Sequence, residues 1–413
     1  MGYKEIPDEA ISQVAQHIND RSNKRYSIPI IGVQDNSETP HIFEIIPFAE
    51  IDKSNNRYYA IDGSFNSQEF YNGLSIAVYS AGYVCYHQGK QVRLNEYDDP
   101  IILGKSYHPN IILQATTNDL FEMYTELISM EPVKRLISFF DDTTDNIFAY
   151  NREAVCQNTS ALLGFCQEIL EWSMVLEILD LECTKHGDFI LRDGTLRSLN
   201  IKQKYLIKLG KYAHSRDVYI VGVTKKSPIK LELSYTLKQI DDYLQDDLKA
   251  KYPFKEANSR RQKLCCWFEV PIPVLNGAYN GESGKMFLRK ALTGGRGFGI
   301  FHVARLDYVE KLQNYDWLIS DLNIYDVMPD IESGNNRTDI CTVEFIHREL
   351  TRLTQEHYVL GYPYPLVDVH NFISLKRDFK EEVINRVKLS LYRDKRMDHI
   401  DIENLFLDTH DRF

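Results

Sequence analysis

The spacing of apolar residues along the first half of the chain predicts helices and strands in succession. Apolar positions at helical spacing predict helices at 5–21, 117–140 and 152–181. Alternating or short aromatic and aliphatic runs predict strands at 58–62, 74–86, and near 100–103 or 110–114. Residues 41–51 are typical of a strand or an extended arm. Three strands in succession suggest an antiparallel meander.

The second half of the chain alternates strands and helices more regularly. Strand-like runs lie at 187–193, 217–224, 264–273 and 299–306. Helix-like segments lie at 199–214, 230–263 and 340–358, and the charged segment 230–263 is interpreted as an insertion. This pattern predicts the α/β class, with a mixed sheet flanked by helices and with helical insertions. In open α/β sheets, functional residues lie at the carboxyl ends of strands.

Composition narrows the class of protein. The chain has 413 residues, of which 43% are hydrophobic and 12% aromatic, so it can bury a large core. Seven cysteines occur without a Cys-x-x-Cys pair, which is typical of a cytoplasmic protein rather than a disulfide framework. No apolar run approaches the roughly 18 residues of a membrane span. A net charge of −11 argues against a general nucleic-acid coat protein but permits a local basic channel.

Two aspartates follow predicted strands, and each precedes a glycine and a small hydroxyl residue. These are Asp62-Gly63-Ser64 and Asp193-Gly194-Thr195. Each alone is explained as well by an Asp-Gly turn. Together, with a meander and a long helix between them, they suggest paired carboxylates at adjacent strand ends.

Further candidate ligands lie on predicted helices. Glu168 and Glu171 share a face of the helix at 152–181, although a helical glutamate is as often simply solvated. Asp368 and His370 follow two prolines that fit the start of a helix. A lone histidine in such a place is more often structural than catalytic.

Carboxylates of this kind are ligands for hard divalent cations. Asp62, Asp193, a helical glutamate and either Asp368 or His370 would provide a Mn²⁺ or Mg²⁺ site suited to two-metal phosphodiester hydrolysis. Lys225 would neutralise charge on the phosphate. The segment 192–230 is locally basic and is the best candidate for a nucleic-acid track, formed by Lys202, Lys204, Lys208, Lys225 and Lys226. The alternative for these lysines is an ordinary solvated helix face.

The order of four motifs resembles the NurA nuclease family. The motifs are Ala-Ile-Asp62-Gly-Ser, Leu-Arg-Asp193-Gly-Thr-Leu, Val-Gly-Val-Thr-Lys225 and Gly-Tyr-Pro-Tyr-Pro-Leu-x-x-x-His370. The resemblance covers roughly residues 55 to 380, and the fourth motif is its most specific part. This chain has Val369 just before the histidine, where family members often have a small residue, so the role of Asp368 stays open.

The resemblance implies a fold, an activity and partners. It implies a ribonuclease H-like core in a nuclease domain at 51–395, preceded by a helix and arm at 1–50 and followed by a tail at 396–413. It implies a Mn²⁺- or Mg²⁺-dependent single-strand endonuclease and 5′–3′ exonuclease of DNA, a homodimer, and a HerA-like hexameric ATPase partner in repair or anti-phage defence. Asp62, Asp193, Glu171 (or Glu168) and His370 would be catalytic metal ligands, His370 alternatively a proton-transfer residue, and Lys225 a catalytic phosphate contact.

Two other functions remain open at this point. The chain could be a catalytically silent structural subunit that only docks on the ATPase motor, although such a subunit has no need of carboxylates at strand ends. It could also be a ribonuclease H-like enzyme that acts on RNA. Metal-dependent DNA cleavage, no cleavage, or a preference for RNA would distinguish the three.

Overall fold

The computed structural model describes most of the chain and divides it into two compact units. The described residues are 7–23, 30–31, 41–44, 54–70, 75–92, 104–107, 112–114, 117–251, 264–271, 274–275, 278, 299–307, 317–323, 340–355, 361–374, 377–394 and 398–407. The first unit comprises Met1–Lys53, Gly194–Arg197 and Val221–Tyr364. The second unit comprises Ser54–Asp193, Ser198–Ile220 and Pro365–Phe413.

The described residues form strands and helices with the following bounds. The strands are β1 (Ile30–Ile31), β2 (His41–Glu44), β3 (Arg57–Glu69), β4 (Ser75–His87), β5 (Lys90–Val92), β6 (Gly104–Tyr107), β7 (Ile112–Gln114), β8 (Phe189–Asp193), β9 (Tyr219–Thr224), β10 (Cys266–Glu269), β11 (Ile300–Arg305) and β12 (Leu318–Leu322). The helices are α1 (Asp8–Ser22), α2 (Thr117–Ser129), α3 (Glu131–Phe140), α4 (Thr144–Ile147), α5 (Arg152–Val155), α6 (Thr159–Asp180), α7 (Gln203–Ser215), α8 (Pro228–Lys251), α9 (Ile340–Gln355), α10 (Tyr364–Ile373), α11 (Arg377–Asp394) and α12 (His399–Leu405). None of the described helices is long and apolar enough to cross a membrane.

The sheet of the second unit is mixed. Its strand order is β8-β3-β4, with β5, β6 and β7 all pairing with the other edge of β4. β3 pairs antiparallel with β4 and parallel with β8. The predicted α/β class with a mixed sheet and flanking helices is therefore confirmed, while the finer assignment to a ribonuclease H-like core stays a prediction.

Helix α6 forms the core of this unit. The side chain of Asn158 accepts a hydrogen bond from the backbone N–H of Ala161 at 2.8 Å, which satisfies one of the free donors at the start of the helix. Most of the following residues are apolar and buried, and the helix packs against β3 and β4. A helix with buried residues on nearly every face is typical of the interior of a domain. Any charged side chain that α6 carries inward therefore needs a partner within the protein.

Strand β3 is longer than the sequence pattern predicts. The expected strand ends at Asp62, but β3 continues to Glu69 and pairs with β4 along its whole length. The Asp-Gly step is thus inside a strand, and the expectation that Asp62 lies at a strand end is wrong. What ends there is the pairing with β8, whose last residue is Asp193.

The sheet of the first unit has the order β1-β2-β10-β11-β12-β9, and its pairs are antiparallel except β1 with β2. Its core contains a neutral histidine. His347 is fully buried, its ring stacks on Trp267 with centroids 5.2 Å apart, and its two nitrogens lie 2.9 Å from Ser320 Oγ and from the Val343 carbonyl oxygen. Since the carbonyl can only accept, Nδ1 carries the proton and the Ser320 hydroxyl donates to Nε2. Burial lowers the pKa of His347 to about 3.

We expect His347 to make the protein sensitive to acid. Between pH 6.5 and 3 the unfolded state binds a proton that the folded state excludes, so stability falls as the pH is lowered through this range. From pH 7.5 to pH 5 the loss from this one group is about 2 kcal/mol. Urea unfolding of the wild type and of His347→Gln at both pH values measures it. The variant should lose less stability than the wild type, and equal losses would contradict the assignment.

Candidate metal centre

The register of two parallel strands brings Asp62 beside Asp193. Ile61 of β3 pairs with Arg192 of β8, so that the next residues along the two strands are the two aspartates. Paired residues of neighbouring strands point to the same face of a sheet, and successive residues point to opposite faces. Asp62 and Asp193 therefore share one face, and Ile61 and Arg192 share the other.

Helix α10 supplies a third side chain on the face of the two aspartates. Gly361 precedes the helix with a φ of 72°, a conformation that glycine adopts without steric cost. The Ser80 hydroxyl donates to the Ile373 carbonyl oxygen at 3.3 Å, and the Tyr86 hydroxyl donates to Asp368 at 3.1 Å. In β4 both donors lie on the same face as Gly82, the partner of Asp62 across the strands. These contacts place His370 over the aspartates.

Asp62, Asp193 and His370 form a cluster suited to a metal ion. One potential ligand atom from each lies within 4.8 Å of the others. His370 Nδ1 is 2.8 Å from Asp62 Oδ2, and the backbone N–H of Gly63 donates to Asp62 Oδ1 at 2.8 Å. Asp62 is buried, Asp193 is partly buried and His370 is exposed, so the cluster opens to solvent on the histidine side. It is the only such cluster among the residues that the structure describes.

The electrostatics of the cluster favour a cation. Burial raises the pKa of Asp62, and the neighbouring Asp193 carboxylate raises it further, while the hydrogen bond from His370 opposes the shift. A divalent ion would relieve both the desolvation and the repulsion between the two carboxylates. Two carboxylates and one imidazole form a ligand set that divalent metals accept, so the residues present fit the predicted ion.

Glu171 is not brought into this cluster. Its carboxylate is bonded to Arg192, with Nη2 at 2.6 Å and Nε at 3.0 Å from Oε2, and it accepts a hydrogen bond from Gln167 at 2.8 Å on Oε1. Both partners lie on the side of the sheet that α6 covers. Burial raises the pKa of Glu171, while the adjacent Arg192 guanidinium opposes this shift and favours the ionised carboxylate. Its predicted role as a catalytic metal ligand stays a prediction.

The other acidic candidates have partners of their own. Glu168 Oε2 accepts a hydrogen bond from Asn200 at 2.5 Å, and Asp368 accepts one from Tyr86. Glu177, on a different face of α6, accepts a hydrogen bond from Tyr83 at 3.1 Å. The structure thus places Asp368 on the same helix as His370 but outside the cluster of three.

Three of the predicted nucleic-acid-binding lysines contact the segment that runs from the end of α3 into α4. Lys202 Nζ donates to the Asp145 carbonyl oxygen at 3.0 Å, and Lys208 Nζ donates to the Phe140 carbonyl oxygen at 3.3 Å, at the end of α3. Lys204 Nζ lies 3.8 Å from the Asp142 carboxylate. A lysine at a helix carboxyl terminus stabilises that end of the helix. These contacts give the lysines a structural role, and their predicted contact with DNA stays a prediction.

Lys225 and Lys226 follow β9 in the first unit and are exposed. Lys225 Nζ lies 3.7 Å from the centroid of the Tyr362 ring, a cation–π distance. The Tyr362 hydroxyl in turn donates to the Val223 carbonyl oxygen at 3.1 Å. Two of the four sequence motifs therefore meet in this unit, while the roles of both lysines toward phosphate stay predictions.

No prediction from the sequence identified Arg192 or Gln167 as partners of Glu171. A signal for Arg192 was present: an arginine in the apolar strand Phe189–Asp193 is costly unless it meets an acidic group. The alternation of side chains also places Arg192 opposite to Asp193. No local signal identifies Gln167, because its contact with the Gly63 carbonyl oxygen joins residues far apart in the chain.

Comparison with known proteins adds one resemblance. No family model matches the chain, and no curated protein is significantly similar to it. Among solved structures, the chain is similar to a crystal structure of NurA with manganese, at 9% sequence identity and a TM-score of 0.34 over 96% of this chain and 99% of that one. A TM-score of this size does not establish a shared fold.

We expect Asp62→Asn to remove metal binding without destabilising the protein. Because the pKa of Asp62 is raised in the folded state, its ionised form costs stability at neutral pH, and the neutral amide avoids that cost. In EDTA at pH 7.5, the Tm of the variant should equal or exceed that of the wild type. Mn²⁺ should then raise the Tm of the wild type alone, since an ion that binds only the folded state stabilises it.

Asp368→Asn is the matched control, because Asp368 lies on the helix that carries His370 but outside the cluster. It should respond to Mn²⁺ as the wild type does. An equal rise in Tm for Asp62→Asn and the wild type would show that the ion binds elsewhere.

Proposed function

We propose that this protein is a metal-dependent nuclease that hydrolyses phosphodiester bonds in DNA. The observation that carries the proposal is the convergence of Asp62, Asp193 and His370, from two strands and a helix, on one solvent-facing site. Carboxylates held this close repel each other, and a cation bound between them would offset this repulsion. The order of the four sequence motifs gives the proposal its substrate class.

The proposed mechanism assigns a role to each residue. Asp62 and Asp193 would hold the ion, and the Gly63 N–H fixes the orientation of the Asp62 carboxylate. The bound cation supplies Lewis-acid activation of water and of the phosphate. His370 is oriented by its Nδ1 contact with Asp62, and 59% of its side chain is exposed. It either completes the ligand set or exchanges a proton with solvent during hydrolysis.

Mn²⁺ or Mg²⁺ is the proposed cofactor. Aspartate oxygens suit both ions, whereas an imidazole nitrogen suits transition metals better than Mg²⁺, which favours Mn²⁺ if His370 is a ligand. The described residues provide one set of three ligands. A mechanism with two metal ions, which the sequence suggests, would need further ligands or shared carboxylates.

The biological setting is proposed from the motif order alone. On that basis the chain cleaves single strands internally, resects DNA from 5′ ends as a homodimer, and works with a HerA-like hexameric ATPase in DNA repair or anti-phage defence. The same basis proposes a ribonuclease H-like core and a DNA track that includes Lys225 and Lys226.

Cleavage assays test the proposal directly. We expect the purified chain to cut 5′-labelled single- and double-stranded DNA with Mn²⁺ or Mg²⁺ and not with EDTA. Asp62→Asn and Asp193→Asn should each lower the rate by at least about a hundredfold, because each removes a charge that holds the ion. Asp368→Asn, outside the cluster, should cut at a rate within a few-fold of the wild type.

An RNA substrate and a HerA-like ATPase with ATP complete the experiment. Faster cleavage of RNA than of DNA would move the assignment to a ribonuclease. No cleavage of any substrate, with or without the ATPase, would favour a catalytically silent subunit. Unchanged rates in both aspartate variants would reject the proposed site.

A further inference from the structure

The residues next to the two aspartates are linked on the opposite face of the sheet. Gly63 follows Asp62 in β3, and Arg192 precedes Asp193 in β8. Because side chains alternate along a strand, Gly63 and Arg192 face away from the metal cluster and toward α6. Contacts with α6 on this opposite face can therefore fix the two strand positions that carry the proposed ligands.

Two side chains of α6 make this link. Gln167 Nε2 donates to the Gly63 carbonyl oxygen at 3.0 Å and to Glu171 Oε1 at 2.8 Å. Arg192 donates to Glu171 Oε2 through Nη2 and Nε. A continuous path of hydrogen bonds thus runs from Gly63 through Gln167 and Glu171 to Arg192. We call these four residues the rear network.

The charged pair of the rear network is buried, and Gly63 is closely packed against the network. Only 2% of Glu171 and 8% of Arg192 are exposed, and the Arg192 guanidinium lies 5.0 Å from the centroid of the Trp172 ring. A Cβ atom on Gly63 would lie 2.5 Å from Gln167 Cγ and 2.6 Å from Glu171 Oε1. Both side chains therefore rest directly on the backbone beside Asp62, and movement in either would be transmitted to that backbone.

The ion pair also fixes the charge that a metal would meet. Arg192 neutralises Glu171, so the negative charge of the site is that of Asp62 and Asp193, which matches one divalent cation. For Glu171 to become a ligand, its carboxylate would have to break two hydrogen bonds with the buried Arg192 guanidinium, which is unfavourable.

We propose that Glu171 is a positioning residue, which acts through Arg192 and Gln167 to fix the separation of the Asp62 and Asp193 carboxylates, and not a metal ligand. This inference rests on the proposed function, because it presumes that the two aspartates bind a cation. It differs from the expectation drawn from the sequence, in which Glu171 itself contacts the ion.

Two variants test whether Glu171 acts on metal binding through position rather than through charge. Glu171→Met breaks the hydrogen-bonded path between Gly63 and Arg192, so we expect its Mn²⁺ affinity to fall by about tenfold, the loss typical of residues that support metal ligands. The double variant Glu171→Met/Arg192→Met removes one charge of each sign and so leaves the net charge unchanged. It should bind Mn²⁺ as weakly as Glu171→Met, because the path stays broken and the two residues act as one unit. Mn²⁺ titration followed by electron paramagnetic resonance measures both affinities and the environment of the ion.

Two further variants separate a loss of positioning from a general loss of stability. Gln167→Ala removes a partly buried side chain that lies outside the ligand cluster, and it should still weaken Mn²⁺ binding about threefold if positioning matters. Glu177→Met removes another buried α6 carboxylate, whose partner is Tyr83, and should leave the affinity unchanged even if it lowers Tm.

The outcomes separate this inference from the proposed function. A double variant with wild-type Mn²⁺ affinity would overturn the positioning role, because the path would then be broken without effect. A Gln167→Ala variant with wild-type affinity, beside a weakly binding Glu171→Met variant, would overturn it in favour of a direct ligand. A wild-type protein that binds no Mn²⁺ would instead overturn the proposed metal site, and this inference would fall with it.

Discussion

The proximity of two carboxylates, Asp62 and Asp193, is the constraint on which the site depends. The pairing of β3 with β8 places them side by side, and burial together with their mutual repulsion raises the pKa of Asp62. Folding must supply the energy that holds them together, and the apolar packing of α6 against β3 and β4 is the main source available in this unit. Such a cost is common at sites that bind a cation.

Much of this arrangement was predictable because it depends on local patterns. Strand and helix periodicity indicated the α/β class and the position of β8, and two prolines indicated the helix that carries His370. The Asp-Gly motif occurs twice, more than a hundred residues apart, and this recurrence predicted that Asp62 and Asp193 lie close together, as they do. The predicted end of the strand at 58–62 was wrong. Asp-Gly by itself is a turn signal, but β3 continues through it because it pairs with β4 on both sides of this step.

The roles of charged side chains were harder to predict, because they depend on partners distant in the chain. Glu171 resembles a ligand in sequence, and only the position of Arg192 on the far face of β8 shows where its carboxylate is directed. A basic track is suggested by Lys202, Lys204 and Lys208, yet these lysines contact the segment that runs from the last residue of α3 into α4. Residue type and spacing give the chemistry available, whereas the tertiary fold decides which groups neutralise one another.

The unbroken pairing of β3 with β4 has a consequence for how the site forms during folding. Thirteen consecutive residue pairs connect these strands. A slip of one residue would turn Asp62 toward the apolar surface of α6 and expose Ile61 in its place. The register slipped by one residue is thus destabilised twice, by a buried charge and by a lost apolar contact. The register of this ladder therefore decides on which face of the sheet Asp62 lies, while β8 and α10 supply Asp193 and His370 to the same face.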